Sequence, residues 1–295
     1  MKSDTAVHDE IGLSDASVAL RAGLVGRGIQ QSLSPRMHVA EGTRLGLDYE
    51  YHLFDFDILG ASDSDLPMLV EKLGREGYAG LNVTHPFKER VISCLDGLSA
   101  DADVIGAVNT VVFGPSGAIG HNTDCWGFAE SFRRGLHAPR LDTVVLLGAG
   151  GAGLAVAKAL LDLGAGRIAI ADTDPGKSIR LSKHIGETYG ADRIADTTDL
   201  EAAVASASGV VNATPVGMAK YPGTPLPVDW LRPDQWVADI VYFPAETELL
   251  KAARAIGSQV LPGAGMAIFQ AVMAFRLITG VDPDPVQMAA HFGAR

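Results

Sequence analysis

The sequence predicts an α/β protein of two domains built on mainly parallel sheets. Short apolar runs alternate with segments of helical periodicity along most of the chain, which is typical of parallel strands covered by helices. A length of 295 residues suits roughly two domains. The stretch 134–142 interrupts the pattern, and a new alternating series begins after it, so we expect one domain on each side.

The apolar runs predict strands at 20–25, 49–54, 80–83, 110–113, 144–147, 168–171, 210–213 and 237–241. The turn signal Gly-Pro-Ser-Gly at 114–117 predicts a hairpin edge. The largely apolar stretch 265–279 predicts a helix, which we expect to return to the first domain. The predicted domains are therefore 18–133, completed by 265–295, and 134–264.

Composition argues against several classes of function. A net charge of −11 disfavours a broad nucleic-acid surface, which needs clustered Lys and Arg. The two cysteines, Cys94 and Cys125, predict neither a disulfide framework nor a zinc site, and they suit a reducing cytoplasm. The first twenty residues include acidic residues and lack a long apolar stretch, so a secretory signal is not expected. The sequence has no run of about 20 apolar residues, so no membrane span is expected. Residues 1–17 are predicted to be a mobile leader.

A glycine-rich turn follows the predicted strand at 144–147, and a helical run follows at 154–163. Its spacing is G-x-G-x-x-G: the first glycine permits a tight turn, the second lets a pyrophosphate approach, and the third lets helix and strand pack closely. Free N–H groups at the helix start would face the phosphates. We therefore predict a Rossmann-type domain whose cofactor-binding turn consists of Gly148, Ala149, Gly150, Gly151, Ala152 and Gly153.

Asp172 ends the second strand of this predicted domain. A carboxylate there can accept hydrogen bonds from the adenosine ribose and would repel a 2′-phosphate, which favours NAD over NADP. Lys177 and Arg180 follow and could reach a phosphate, so NADP stays open. The structural alternative is a tight turn that binds nothing, with Asp172 as a cap at the strand end.

Ser32 and Ser34 form a candidate carboxylate site. Ser34 is expected to cap a helix that has Pro35 at its first position. The two hydroxyls and the partly positive helix N-terminus would together bind an anion. The alternative is that these residues serve only as a cap.

Lys88 and Asp124 are the candidate catalytic residues. Pro86 predicts a helix start with Lys88 in its first turn, where the helix field should lower the pKa of the lysine and suit proton transfer near neutral pH. Asp124 lies at another predicted helix start, and its carboxylate would orient the amine. The alternatives are an exposed surface lysine and a helix-capping aspartate. No metal is predicted, because no zinc signature matches the spacing of His85, His121 and Asp124.

In sequence order, these segments resemble the shikimate dehydrogenase family from about residue 20 to residue 292. The matching motifs are Ser32-x-Ser34-Pro, Asn82-x-Thr84-x-Pro-x-Lys88, Gly106-Ala-Val-Asn109-Thr, Asn122-Thr-Asp124, Gly148-Ala-Gly-Gly, Asn212-Ala-Thr-Pro-x-Gly-Met218 and Gly263-x-Gly-Met-x-x-x-Gln270. One such motif is weak evidence, whereas the whole series in the same order is highly specific.

The resemblance implies a substrate domain and a nucleotide-binding domain, with the active site in the cleft between them and C-terminal helices that return to the first domain. It implies that Lys88 and Asp124 are catalytic and that Ser32 and Ser34 hold the substrate carboxylate. The residues implied to bind ring hydroxyls, orient the pair or lie near the substrate are Asn82, Thr84, Asn109, Tyr242 and Gln270. Those implied to lie along the cofactor are Asn212, Thr214, Met218 and Gly263.

The resemblance further implies NAD-dependent oxidation of a ring C3 hydroxyl, in shikimate or quinate, by a monomer or homodimer. NADP-using members usually carry Asn-Arg-Thr after the second nucleotide-domain strand, whereas this chain has Asp172-Thr-Asp174, as in the NAD-using quinate/shikimate branch. Ser34 matches the shikimate-preferring pattern, because quinate-accepting members often carry Thr there. Pro262 replaces a common Asp, and we have no physical account of that change.

Four alternatives to this function stay open. Three are enzymes: an NADP-dependent biosynthetic shikimate dehydrogenase, an aminoshikimate-type dehydrogenase and a folate-linked dehydrogenase of similar two-domain shape. The fourth is a non-catalytic NAD- or metabolite-sensing module. The pair Lys88 and Asp124 argues against the sensor, and Ser32-x-Ser34 argues against the folate-linked enzyme.

Overall fold

The computed structural model describes residues 19–293, which form an α/β fold with two six-stranded sheets. The predicted leader at 1–17 lies outside the described residues. Within the described range, no helix has the length and apolar character that a membrane crossing requires.

The first sheet has the order β2-β1-β3-β5-β6-β4. Its strands are β1 (Leu20–Gly26), β2 (Tyr49–Asp55), β3 (Gly80–Val83), β4 (Gly97–Leu98), β5 (Thr110–Gly114) and β6 (Gly117–His121). The helices in this part of the chain are α1 (Ser34–Arg44), α2 (Phe56–Leu59), α3 (Leu66–Arg75), α4 (Ala100–Ile105) and α5 (Thr123–Gly135).

This first sheet is mixed. Strand β1 pairs in parallel with β2 and β3, whereas β5 runs antiparallel to β3 and β6. The predicted hairpin is confirmed, since Gly114 lies opposite Gly117. It does not form the sheet edge, however, because the two-residue strand β4 pairs with β6 on its outer side.

The second sheet is wholly parallel, with the order β12-β11-β10-β7-β8-β9. This is the doubly wound order, with a crevice between β7 and β10, where the order of the strands in the sheet reverses. Its strands are β7 (Thr143–Leu147), β8 (Arg167–Ala171), β9 (Ile194–Asp196), β10 (Gly209–Asn212), β11 (Trp236–Asp239) and β12 (Gln259–Leu261). Its helices are α6 (Gly151–Asp162), α7 (Pro175–Tyr189), α8 (Leu200–Ser206) and α9 (Glu248–Ala255).

Two C-terminal helices, α10 (Ala264–Thr279) and α11 (Pro285–Gly293), follow the second sheet. Helix α10 packs against α5 and against strands β3 and β5 of the first sheet, and α11 packs on α1. Buried Phe275 and Ile278 of α10 share an apolar cluster with Ala22 of β1 and Met37 of α1. The end of the chain thus adds a layer to the first sheet.

His38 of α1 makes stability depend on pH. It is fully buried, its Nδ1 lies 3.0 Å from the Tyr49 hydroxyl, and burial lowers its pKa from 6.5 to about 3. Because the folded pKa lies below the unfolded one, the stability from this group is present above pH 6.5 and is lost as the pH falls toward 3.

We expect the free energy of unfolding to depend less steeply on pH in His38→Gln than in the wild type. Between pH 6.5 and 3, the wild type takes up one more proton on unfolding than the variant does. Its free energy of unfolding should therefore change more steeply, by about 1.4 kcal/mol per pH unit. Urea unfolding at a series of pH values measures this slope. Parallel stability curves for the two proteins would contradict the assignment.

Candidate active site

A cleft of about 800 Å³ lies between the two sheets. It opens at the carboxyl ends of β1, β3, β10 and β11, the usual position of ligand sites in parallel α/β sheets. All of the residues predicted to contact substrate or to react line it: Ser32, Ser34, Asn82, Thr84, Lys88, Asn109, Asp124, Tyr242 and Gln270. The predicted cofactor residues that also line it are Ala152, Thr214, Met218 and Gly263.

Lys88 and Asp124 form an ion pair inside this cleft, with 2.6 Å between Lys88 Nζ and Asp124 Oδ2. The side chains are 32% and 13% exposed, so the amine remains accessible while the carboxylate is largely enclosed. Asp124 lies in the first turn of α5, where the helix N-terminus stabilises its negative charge. The side chain of Asn122 caps this helix by accepting from the backbone N–H of Asp124.

The predicted helix at Pro86 is wrong. The backbone stays paired with β1 past the end of β3, since Thr84 N–H donates to Val25 and Arg27 N–H donates to the carbonyl of His85. Lys88 then lies in a turn, and a short 3₁₀ helix begins only at Arg90. The helix field invoked for Lys88 is therefore absent, and its neighbour Asp124 supplies the local electrostatic partner.

The candidate carboxylate site lies at the N-terminus of α1. Ser34 is the first residue of this helix and Leu33 occupies the cap position, so the prediction that Ser34 caps the helix is wrong by one residue. Ser32 accounts for the difference, because its hydroxyl accepts from the backbone N–H of Ser34 at 3.3 Å. Both hydroxyls line the cleft beside a partly positive helix end.

The glycine turn after β7 has the shape that a dinucleotide requires. Gly148 has a φ of +97°, which favours glycine. A Cβ on Gly153 would lie 2.1 Å from the Gly148 carbonyl oxygen, so only glycine lets α6 approach the turn. Gly150 and Gly151, at the start of α6, face open space and leave backbone N–H groups available to a pyrophosphate.

Gly153→Ala is expected to raise the KM for the nicotinamide cofactor by roughly 100-fold, because the added methyl group must push the turn away from α6 by about 1 Å. Gly114→Ala is the matched control, since a Cβ there meets nothing within 4 Å, its φ is not positive and the residue ends β5 in the other sheet. Equal cofactor KM values for the two variants would contradict this reading of the turn.

Asp172 lies next to the glycine turn, as predicted. Its carboxylate accepts from the backbone N–H of Ala149 at 2.8 Å and of Asp174 at 2.9 Å. Burial raises its pKa, but these hydrogen bonds and nearby Lys177 outweigh burial, so the pKa is lowered and the group is ionised at neutral pH. A fixed negative charge therefore lies beside the glycine turn.

Asn212 stabilises the loop after β10 through side-chain hydrogen bonds. It is fully buried, and its Oδ1 accepts from the hydroxyl of Thr214 at 2.6 Å, while its Nδ2 donates to Asp239 at 2.9 Å. Asp239 was missed by the sequence reasoning. It also accepts from the Thr247 hydroxyl and the Val241 N–H, and burial raises its pKa to about 6. A carboxylate within the apolar run 237–241 was the signal that could have identified it.

The cleft is also lined by Gly263, Gln270 and Tyr242. A Cβ on Gly263 would lie 2.3 Å from the carbonyl oxygen of Ile240, so glycine is required where α10 begins. Gln270 donates to the carbonyl of Ala267 within α10. Tyr242 is half exposed, and its ring lies 5.7 Å from that of Phe292 in α11.

Among residues 19–293, no group of three or more His, Cys, Asp or Glu side chains could hold a metal ion.

A doubly wound sheet with a dinucleotide turn, joined across a cleft to a lysine–aspartate pair, defines a two-domain dehydrogenase. A family model described as the shikimate dehydrogenase substrate binding domain matches residues 24–111. The chain is 52% identical over 272 residues to an NADP-type shikimate dehydrogenase of Streptomyces avermitilis, covering 91% of this chain and 93% of the relative. A quinate/shikimate dehydrogenase (NAD(+)) of Corynebacterium glutamicum is 45% identical, with 92% and 96% covered.

Solved structures give the same picture. Quinate dehydrogenase from Corynebacterium glutamicum in complex with NAD matches with a TM-score of 0.89 and 44% identity, covering 93% of this chain and 98% of that one. Shikimate 5-dehydrogenase from Thermus thermophilus in complex with NADP(H) and shikimate matches with a TM-score of 0.81 and 34% identity, covering 92% and 98%. The chain belongs to the shikimate dehydrogenase family and is an NAD(P)-dependent oxidoreductase acting on CH–OH groups.

Proposed function

We propose that this chain catalyses the reversible oxidation of the C3 hydroxyl of shikimate to 3-dehydroshikimate and of quinate to 3-dehydroquinate, with NAD as the preferred cofactor. The observation that carries this proposal is the 2.6 Å contact between Lys88 and Asp124 in the cleft beside the glycine turn. Relatives named for shikimate and for quinate support the same two substrates.

The substrate carboxylate binds the hydroxyls of Ser32 and Ser34 at the start of α1. This anchor turns the ring so that its hydroxyls meet Asn82, Thr84, Asn109 and Gln270 on the cleft wall. Lys88, oriented by Asp124, takes the proton of the C3 hydroxyl and returns it in the reverse reaction. When bound on the glycine turn, the nicotinamide supplies the carbon that accepts the hydride.

NAD preference follows from Asp172. Its ionised carboxylate is held by two backbone N–H groups at the ribose end of the site, where it accepts from ribose hydroxyls and repels a 2′-phosphate. The NADP-using alternative has its own support in the Streptomyces relative and in exposed Lys177 and Arg180 on α7. Ser34 favours shikimate over quinate within the proposed pair.

A double variant, Asp172→Ala with Thr173→Arg, is expected to shift the ratio of kcat/KM values toward NADP by roughly 100-fold. Two charge effects of about 1.4 kcal/mol each, one repulsion removed and one attraction gained, account for this size. The matched control is Asp196→Ala, which removes an exposed carboxylate at the end of the neighbouring strand β9. If the ratio of the kcat/KM values for NADP and NAD is unchanged in the double variant, Asp172 does not determine the cofactor preference.

Steady-state rates for shikimate and quinate against NAD and NADP test the proposed function. We expect the absorbance of reduced nicotinamide to rise with both acids and the NAD rates to exceed the NADP rates. If the protein oxidises neither acid, the proposal is overturned. If the NADP rates exceed the NAD rates, only the proposed cofactor preference is overturned.

We also propose that the chain divides functionally into residues 18–133 with 265–295, which hold the substrate, and 134–264, which hold the cofactor. The packing of α10 on α5 and on the first sheet supports this division. A cytoplasmic location and a monomeric or homodimeric state stay predictions from the sequence.

A further inference from the structure

We propose that the hydroxyls of Thr110 and Tyr51 are positioning groups that hold the two cleft amides, Asn82 and Asn109, in one orientation. Neither hydroxyl-bearing residue lines the cleft, whereas both amides do. The inference deepens the proposed function and rests on it, because it concerns how a ring hydroxyl is recognised. A continuous chain of hydrogen bonds carries it.

The orientation of the Asn109 side-chain amide is set by two residues that do not line the cleft, Thr123 and Thr110. The backbone N–H of Thr123 can only donate, and it lies 2.8 Å from Asn109 Oδ1, so this atom is the amide oxygen. The hydroxyls of Thr123 and Thr110 also donate to it, at 3.1 and 3.2 Å. The amide nitrogen of Asn109 has no partner among residues 19–293 and is left for the cleft.

Thr110 transmits this orientation to Asn82. Thr110 is fully buried, and its hydroxyl carries a single proton, which is used on Asn109. Its oxygen can then only accept from Asn82, whose Nδ2 lies 3.1 Å away. The amide oxygen of Asn82 consequently faces away from Thr110.

Tyr51 is the last member of this series of hydrogen bonds. Its hydroxyl donates to Asn82 Oδ1 at 2.8 Å, and it also forms a hydrogen bond with the side chain of Ser34 at the carboxylate site. Burial raises the pKa of Tyr51 well above its usual value, so the phenol keeps the proton that it donates. Two residues outside the cleft thereby connect the carboxylate site to the amides.

The consequence is a cleft wall of fixed polarity at Asn109. Its amide nitrogen offers only donors, which can bind the oxygen of an alcohol and equally the oxygen of the ketone formed from it. A flipped amide would present an acceptor instead and would lose the ketone. The hydroxyls of Thr110 and Tyr51 in the same way hold the amide of Asn82 in one orientation, and they thus act on substrate affinity without touching the substrate.

Steady-state kinetics of Thr110→Val, Thr110→Ser and Tyr51→Phe test this inference in the full-length protein with shikimate and quinate. Thr110→Val and Tyr51→Phe should each raise the KM of the acid roughly tenfold, the size of one lost hydrogen bond, with the cofactor KM within about twofold. Thr110→Ser restores the hydroxyl and should stay within about threefold of the wild type. The control is Tyr78→Phe, which loses a hydroxyl contact to His52 away from the cleft.

An acid KM within about twofold of the wild type in both Thr110→Val and Tyr51→Phe would overturn the inference while the proposed function stands. Equal effects of Thr110→Ser and Thr110→Val would do the same, because they would point to packing rather than to the hydroxyl. If Thr110→Val does not fold, Tyr51→Phe decides, since it keeps the ring volume. Wild-type protein that turns over neither acid would instead remove the proposed function, and this inference with it.

Discussion

Lys88→Ala is expected to lower kcat for the oxidation of shikimate or quinate by about 10²–10⁴-fold, the usual contribution of a positioned proton-transfer group. The amine lies 2.6 Å from Asp124 and lines the cleft, so its loss removes the group that we propose takes the hydroxyl proton. Cofactor affinity should change little, because the glycine turn lies on the other sheet. Single-turnover rates with saturating cofactor measure the effect on the chemical step.

The matched control for this variant is Lys72→Ala. Lys72 also faces a carboxylate, that of Glu76 at 3.7 Å, but the pair is exposed on α3 and away from the cleft. We expect its kcat to equal that of the wild type, since exposed pairs contribute little even to stability. Near-wild-type turnover by Lys88→Ala would show that another group moves the proton.

Replacing Ser32 and Ser34 together with alanine is expected to raise the KM for the acid by roughly 10²–10⁴-fold. Each hydroxyl is proposed to donate to a carboxylate, and a hydrogen bond to a charged group is worth about 1.5–3 kcal/mol. The cofactor KM should stay within about twofold, because the cofactor site is built on the second sheet. Steady-state kinetics of the double variant and of each single variant measure the contributions.

Ser99→Ala is the control for this pair of serines. Ser99 caps α4 by accepting from Ala102, so its removal costs helix stability, but the residue does not line the cleft. Its acid KM should equal that of the wild type. A double serine variant whose acid KM rises by less than about threefold would mean that the carboxylate binds elsewhere.

The sheets could be predicted because most of their strands are apolar runs of at least four residues. Strand β3 was predicted with its exact bounds, and β1, β7 and β8 to within one residue. Four strands had no predicted bounds. Of these, β6 was implied only by the predicted hairpin, and β4, β9 and β12 have two or three residues each, too few for their apolar pattern to be distinguished from loops.

Local pattern failed where long-range contacts decide the backbone. Pro86 follows a strand and is typical of a helix start, yet the backbone of residues 84 and 85 pairs with the end of β1, and the chain then turns at residues 85 and 86. The prediction for Ser34 failed for a local reason: Leu33 occupies the cap position, and the Ser32 hydroxyl accepts from the backbone N–H of Ser34.

The candidate site was predicted mainly by resemblance, because its contacts join distant parts of the chain. Lys88 and Asp124 are separated by 36 positions, and Tyr51 and Asn82 by 31. Residue chemistry suggested what Lys88 and Asp124 could do, and only the matching motifs placed them together. Tyr51 and Asp239 had no motif in that comparison, and Thr110 ended one without a role of its own, so their contacts emerge only from the three-dimensional structure.

Lys88 and Asp124 are proposed to face a ring hydroxyl across the cleft from a dinucleotide on the glycine turn. A crystal structure of the protein with shikimate and NAD would show whether they do. We expect Lys88 Nζ within about 3.2 Å of the C3 hydroxyl oxygen, with the ring carboxylate on Ser32 and Ser34. A complex in which the acid binds with its C3 hydroxyl turned away from Lys88 would contradict the account.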